Sequence, residues 1–270
     1  MNLNSFVIDR PLRGLMLHSS TGEVLWTINQ IEEPSLQVSA DTQDAVDAIG
    51  ATIMSFDRAK NAEFSAQSSL FDLGLLAAQS GSEIRQSSAA TKIITPCFDE
   101  VEMPASGSIT LKHTPKGTGK DGIPYIYVLN GNGSLGKKYE YAAAASETAF
   151  TFSDSTLTPP TDESLTAGTT LLVIYEYEAD ETTGNQAVAV DNTAKNFPRA
   201  GKFVLEVLGC DTCDASTLYY AYIIFPNAKL TSDFDISFTT DSKHPFTLKA
   251  MQDYCDKERK LFTVVIPEAE

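Results

Sequence analysis

Phe203-Val204-Leu205-Glu206-Val207-Leu208 and, after Gly209–Thr217, Leu218-Tyr219-Tyr220-Ala221-Tyr222-Ile223-Ile224-Phe225 decide the fold class. Both runs are short, rich in β-branched and aromatic residues, and bounded by small or acidic residues, so they read as buried strands. The loop between them, Gly209-Cys210-Asp211-Thr212-Cys213-Asp214, makes the pair a hairpin. Moving toward the C-terminus, Phe234, Ile236 and Phe238 alternate with Asp235, Ser237 and Thr239, the pattern of a half-buried strand. Phe246, Leu248 and Ala250 repeat it, and Leu261 to Ile266 supplies a last strand.

Toward the N-terminus, Leu36 and Val38 alternate with polar neighbours and Ala51 to Phe56 is a β-capable run, while acidic, polar Ala40 to Gly50 reads as an extended loop between them. The single Trp26 lies in a β-like run and is expected in the core. One helix is expected near 68–80. Ser69 can cap it, Asp72 follows three residues on, Leu70, Leu73, Leu76 and Ala77 share a face, and Gly81 follows its end. Gly74 inside that helix costs about 1 kcal/mol relative to Ala. From Val101 to Asp180 the chain turns to short β runs, Ile109–His113, Tyr125–Leu129, Ala149–Phe152 and Leu171–Tyr177, separated by turn residues such as Pro115-Lys116-Gly117 and Thr158-Pro159-Pro160-Thr161. Asn130-Gly131-Asn132-Gly133 reads as a β-turn, since a phosphate loop needs a Lys-Ser/Thr ending and a following helix. The expectation is a mainly β (α+β) protein. Residues 1–100 and 190–270 form a β-sandwich or barrel core with one packed helix, and residues 101–180 form an inserted all-β, Ig-like subdomain.

Composition narrows the function. In 270 residues, 42% hydrophobic and 21% charged residues describe a folded chain able to bury a core. Its net charge of −16 repels phosphate backbones, which argues against tight wrapping of nucleic acid. Met1 to Arg13 lacks a basic stretch followed by an apolar run, so a soluble chain made in the cytoplasm is expected. Four cysteines, Cys97, Cys210, Cys213 and Cys255, do not make a disulfide framework. Cys210 and Cys213 have zinc-knuckle spacing, but no second pair completes four ligands, and neighbouring Asp211 and Asp214 disfavour a reactive thiolate. They are read as a turn bearing two thiols. No GxSxG, HExxH, Walker loop or strand-linked GxGxxG occurs, and the three histidines are far apart. Asp9, Arg10, His18 and Glu23 read as a solvated loop, and Glu32-Glu33 and Asp99-Glu100 as solvated turns. No catalytic residue, cofactor or metal is expected.

Three stretches resemble virion structural proteins of tailed bacteriophages, most closely the major tail tube proteins. They are Phe64-Ser65-Ala66-Gln67-Ser68-Ser69-Leu70-Phe71-Asp72-Leu73-Gly74-Leu75-Leu76-Ala77-Ala78-Gln79-Ser80-Gly81, then Ala167-Gly168-Thr169-Thr170-Leu171-Leu172-Val173-Ile174-Tyr175-Glu176-Tyr177, then Ile224 to Leu230 running into Asp235–Thr240 and Pro245–Ala250. The resemblance implies a tail-tube-like core, homo-hexameric rings stacked into a hollow tube, and transient passage of DNA without specific binding. It also implies contacts with other tail proteins, no membrane partner, and a place in the virion after assembly in the host cytoplasm. By the same resemblance, ring-to-ring contacts are expected on the N-terminal arm Met1–Arg10, at Asn2, Leu3 and Phe6, and on Ala40–Gly50, at Asp41, Asp44 and Asp47. The alternative is a capsid decoration protein or another virion β-sandwich binding a glycan or the capsid. A metal-dependent hydrolase is a third class.

Overall fold

The computed structural model describes residues 6–182, 184–212, 214–253 and 257–267. In chain order the elements are β1 (Phe6–Leu17), β2 (Val24–Ile28), β3 (Ile31–Val46), β4 (Thr52–Ser68), α1 (Leu73–Ser80), β5 (Ile84–Gln86), β6 (Ile93–Glu102), β7 (Ile109–Thr110), β8 (Tyr125–Leu129), β9 (Leu135–Tyr141), β10 (Ala149–Ser153), β11 (Thr156–Thr158), β12 (Thr170–Ala179), β13 (Val188–Val190), β14 (Ala200–Asp211), β15 (Asp214–Leu230), β16 (His244–Ala250) and β17 (Thr263–Val265). The protein is mostly β with one α-helix among the described residues. Two compact units result, one from Met1–Ile84 and Val190–Glu270 and the other from Arg85–Ala189. β6 belongs to the second unit because all ten of its residues pair with β12.

The first unit is built on one sheet in the order β2-β1-β14-β15-β16-β4-β3, with β17 added to β15. The opening pair of runs is the antiparallel hairpin β14–β15, Phe203 opposite Phe225 and Leu205 opposite Ile223. Alternation sends Phe203, Leu205, Val207, Ala221 and Phe225 to one side, where they meet Met16, Trp26, Ile28, Phe64, Phe246 and Leu248. The sheet must curl to do so. β2 and β16 are four strand spacings apart, about 19 Å if flat, yet the rings of Trp26 and Phe246 lie 6.0 Å apart. The result is a nearly closed, barrel-like sheet around an aromatic core. Gly14 permits the close approach, since a β-carbon there would stand 2.8 Å from the Phe203 ring.

α1 is shorter than the sequence suggests. β4 continues to Ser68, held by pairing with Ile31 on one side and His244 on the other, so no helix begins there. The cap is Asp72 in place of Ser69: its Oδ1 accepts from the Gly74 and Leu75 amides at 2.7 and 3.0 Å. Leu70 and Leu73 are consequently exposed, and Leu75 and Ala77 carry the buried face. Gly81 ends the helix at φ 63°, and a β-carbon there would fall 2.3 Å from the Phe197 carbonyl oxygen. The strand expected at Phe234–Thr239 does not form, and Phe238 is exposed. Both sides of β16 are already taken, by β15 and β4, so the segment that leads into it cannot pair with β16 as a hairpin.

The second unit is all β, a seven-stranded sheet in the order β6-β12-β8-β9-β10-β11-β7. Its two ends meet: the Lys112 amide, just after β7, donates to Asp99 Oδ2 in β6 at 2.8 Å. Six strand spacings would separate them by about 29 Å in a flat sheet, so the sheet rolls around its own core of Leu111, Ile123, Ile126, Tyr139, Phe150, Leu157, Leu171 and Val173. β9 escapes the sequence reading because Lys137, Lys138 and Glu140 face outward and only Tyr139 is buried. Tyr139 donates to Asp162 Oδ2 at 2.7 Å, as does Lys137 Nζ. Lys137, then Ser164, hold the Asp162 carboxyl well below the usual range.

Candidate assembly surface

The segment expected as a loop, Ala40–Gly50, is the far end of the β3–β4 hairpin. Register runs unbroken in direction from Ile31 opposite Ser68 to Val46 opposite Thr52, with shifts near Pro34, Asp41 and Val46. Asp47 shapes the turn: its Oδ1 accepts from the Ile49 and Ala51 amides at 3.0 and 2.8 Å, and Gly50 takes φ 86°. The root of the hairpin is core, since Leu36 packs against the aromatic cluster and Ala62 and Phe64 are buried. Beyond it, every residue from Gln37 to Asn61 is exposed.

The two faces of this ribbon differ. Gln43 opposite Phe56 and Ala45 opposite Met54 make one face apolar. Arg58 lies on it, its guanidinium carbon 5.5 Å from the Phe56 ring centre and its Nε donating to Gln43 Oε1 at 3.1 Å. Thr42 opposite Asp57 and Asp44 opposite Ser55 make the other face polar and acidic. Val46, Ile49, Ile53 and Met54 expose apolar surface around the turn, with Ile49 at 89%. The sequence signal was there in Ala51-Thr52-Ile53-Met54-Ser55-Phe56, whose apolar residues fall on both parities. Such a run has no single wet face.

A two-stranded ribbon bare on both faces is marginal in water. Backbone pairing alone does not hold it, and its apolar side chains gain burial only from another surface. β2 and β3 are also the two outer strands of the sheet, each with one unpaired edge. A cavity of about 430 Å³ lies along β2, lined by Leu25, Trp26, Ala77 and Ala78, with Glu23, Glu83 and Arg199 at its rim. These features make a surface suited to joining protein chains.

The remaining expected contact residues are placed as follows. Phe6 is the first residue of β1, opposite Asp211, and packs against the core. A β-carbon on Gly209 would stand 2.5 Å from its ring. From Phe6 onward the expected N-terminal arm is therefore a paired strand. Asn2 and Leu3 lie outside the described residues, as do Cys213 and Cys255. Asp41 and Asp44 are exposed on the hairpin. Cys210 is a free thiol within β14, and Cys97 is free and buried.

The polar groups buried elsewhere hold elements together. Arg13 Nε donates to Glu206 Oε2 at 2.6 Å and Tyr222 OH to Glu206 Oε1 at 3.2 Å, joining β1, β14 and β15. His244 and Gln79 are both buried, with His244 Nε2 2.7 Å from Gln79 Oε1. Gln79 Nε2 donates to the Pro245 carbonyl at 2.9 Å, so α1 is pinned to β16. Burial pushes the His244 imidazole below its usual range, and Asp72 works against that shift. In the second unit, burial foremost raises the Tyr175 phenol. Among the described residues no three or more His, Cys, Asp or Glu side chains gather where they could hold a metal ion. Among the same residues no helix is long and apolar enough to cross a membrane.

No curated protein matches the sequence at a significant level. A family model, that of the YomU/Tube protein family, matches residues 12–264. That span takes in the curled sheet, the projecting hairpin and the whole second unit, and the chain therefore belongs to the YomU/Tube family of phage tube proteins.

Proposed function

We infer that six copies of the chain close into a ring, that rings stack into the hollow tube of a phage tail, and that the β3–β4 hairpin carries contacts between successive rings. One observation carries this reading beyond family membership: residues 37–61 form a long two-stranded ribbon, paired up to its turn apart from two register shifts, with no cover on either face. Asp41 and Asp44 are its exposed charges, and Asp47 serves it by fixing the turn. The open edges of β2 and β3 suit sheet continuation between neighbours in a ring. A net charge of −16 lets DNA pass along such a channel without adhering to it.

Negative-stain microscopy of the purified, untagged protein, with light scattering on the same sample, tests this directly. Hexameric rings or hollow tubes are expected. A species that stays a monomer or trimer at every concentration, even when seeded with tail initiators, overturns the reading in favour of a decoration protein. Tight binding of DNA to assembled tubes at physiological salt overturns the passive-channel part alone.

A further inference from the structure

The first unit holds a seat that matches the hairpin tip in chemistry. A groove of about 800 Å³ opens at the root of the hairpin, between β4, β16 and the chain after β15. Strand register places four of its side chains in one row: Gln37 opposite Glu63, Glu63 opposite Lys249, and Lys249 opposite Lys229. Two lysines side by side on neighbouring strands repel. Glu63 relieves one of them, with Lys249 Nζ 3.3 Å from its Oε1. Lys229 has no carboxylate partner among the described residues. Partly exposed Ala250 and Met251 add apolar surface, Leu230 beside them belongs to the core, and Asp233 also lines the groove. The cavity along β2 sets two acids, Glu23 and Glu83, against Arg199 alone and disfavours an acidic tip.

We propose that the β3–β4 tip of one copy seats in the Lys229–Lys249 groove of a second copy, Asp44 pairing with Lys229 and the apolar side chains of Val46 and Ile53 covering Ala250 and Met251. The proposal rests on the tube reading above and names the surface that receives the hairpin. A tip does not reach its own groove, because Gln37 lines the groove and Val46 lies nine residues further along a paired strand, about 30 Å away. Donor and acceptor are thus different patches of one chain. Such a contact is heterologous, and each copy that is seated offers a free groove or tip to the next.

Charge reversal tests the pairing in the full-length protein. Asp44→Lys sets an ammonium group against the unpaired Lys229, and Lys229→Glu sets a carboxylate against Asp44. Each variant alone is expected to form rings but to need at least about tenfold more protein to elongate into tubes, whereas the double variant Asp44→Lys/Lys229→Glu, in which every tip again meets opposite charge, elongates like the wild type. Lys120→Glu, in the second unit, is the charge-matched control and elongates normally. Circular dichroism confirms that each variant is folded. Carbodiimide coupling of wild-type tubes assembled from mixed isotopically light and heavy chains is expected to give an Asp44–Lys229 linkage between copies. If wild-type tubes form but Lys229→Glu elongates normally, or if the folded double variant fails to recover, the groove is not the seat while the tube reading stands. If the wild type forms neither rings nor tubes, both fall together.

Discussion

The protein contains two long antiparallel hairpins of similar construction and opposite circumstance. β14–β15 is flanked by β1 on one side and by β16 and β17 on the other, and one of its faces is core from Phe203 to Val207 and from Ala221 to Leu230. β3–β4 has the same pairing and comparable length, yet only its root reaches the core. The comparison teaches that backbone pairing fixes the shape of a ribbon, and that neighbouring side chains decide whether it is stable by itself. What the first hairpin obtains from its own chain, the second lacks beyond its root.

The sharpest way to break that contrast is to empty the supported hairpin. Phe225 is fully buried, with the rings of Phe64, Phe203 and Phe262 about it at 5.8 to 6.2 Å between centres. Phe225→Ala is expected to cost about 3–5 kcal/mol in chemical denaturation of the monomer. A loss under about 1 kcal/mol would mean that the hairpin is not held by this core. Next in size is Glu206, buried between Arg13 and Tyr222 on the other face of β14. Glu206→Ala is expected to cost about 1–2 kcal/mol, and Tyr222→Phe less, both read by the same denaturation curves.

The sequence revealed the supported hairpin and misread the bare one for a physical reason. Phe203–Leu208 and Leu218–Phe225 announce themselves because burial at Phe203, Leu205, Val207, Ala221 and Phe225 selects apolar side chains, although Leu218 and Tyr220 stay exposed. Residues 37–46 carry Gln37, Ser39, Asp41, Thr42, Gln43 and Asp44, a composition that matches a loop because nothing in the monomer is buried there. A strand covered only after assembly lacks the intrachain signal on which periodicity depends. The acids at 41, 44 and 47 were legible as candidates, but the division of roles was not, since Asp47 is a turn residue only once the register is known. Lys229 and Lys249 could not be paired from sequence, for they meet through strands separated by the irregular segment 232–243. The helix start differs for a similar reason: Ser69 looks like a cap until β4 is seen pairing through Ser68 on both sides.

Acid sharpens the contrast in a different way. The His244 imidazole is depressed by burial, so below the usual histidine range, near 6.5, the unfolded chain binds a proton that the native chain does not. Stability of the first unit is therefore expected to fall as pH drops through that window, and the fall to vanish in His244→Asn. The carboxyl of Asp162 is depressed as well, so its contribution is present above the ordinary carboxylate value of 3.8 and is lost only at more acidic pH. Hydrogen exchange followed between pH 7 and 4 is expected to loosen residues 244–250 before residues 135–141. The reverse order would contradict the burial assigned to His244.

The smallest expected effect is on the bare ribbon itself. Phe56→Ala should change monomer stability by no more than about 0.5 kcal/mol, because a half-exposed side chain loses little. In assembled tubes the same substitution should matter, and backbone amides of 39–60 should become protected from exchange on assembly. Protection already present in the monomer would show that the ribbon needs no partner.

A ribbon paired from its root to its turn, with only two shifts beyond Gln37, also behaves as a graduated rod. Each residue added to both strands would carry the turn about 3.3 Å outward, but a single step exchanges the acidic face for the apolar one. Only even insertions preserve the faces, so the reach of β3–β4 is quantised in increments of about 6.6 Å. If tip and groove join successive rings, the axial period of the tube is written in the count of residues between Gln37 and Asn61, and changes in that count would alter the period in discrete steps.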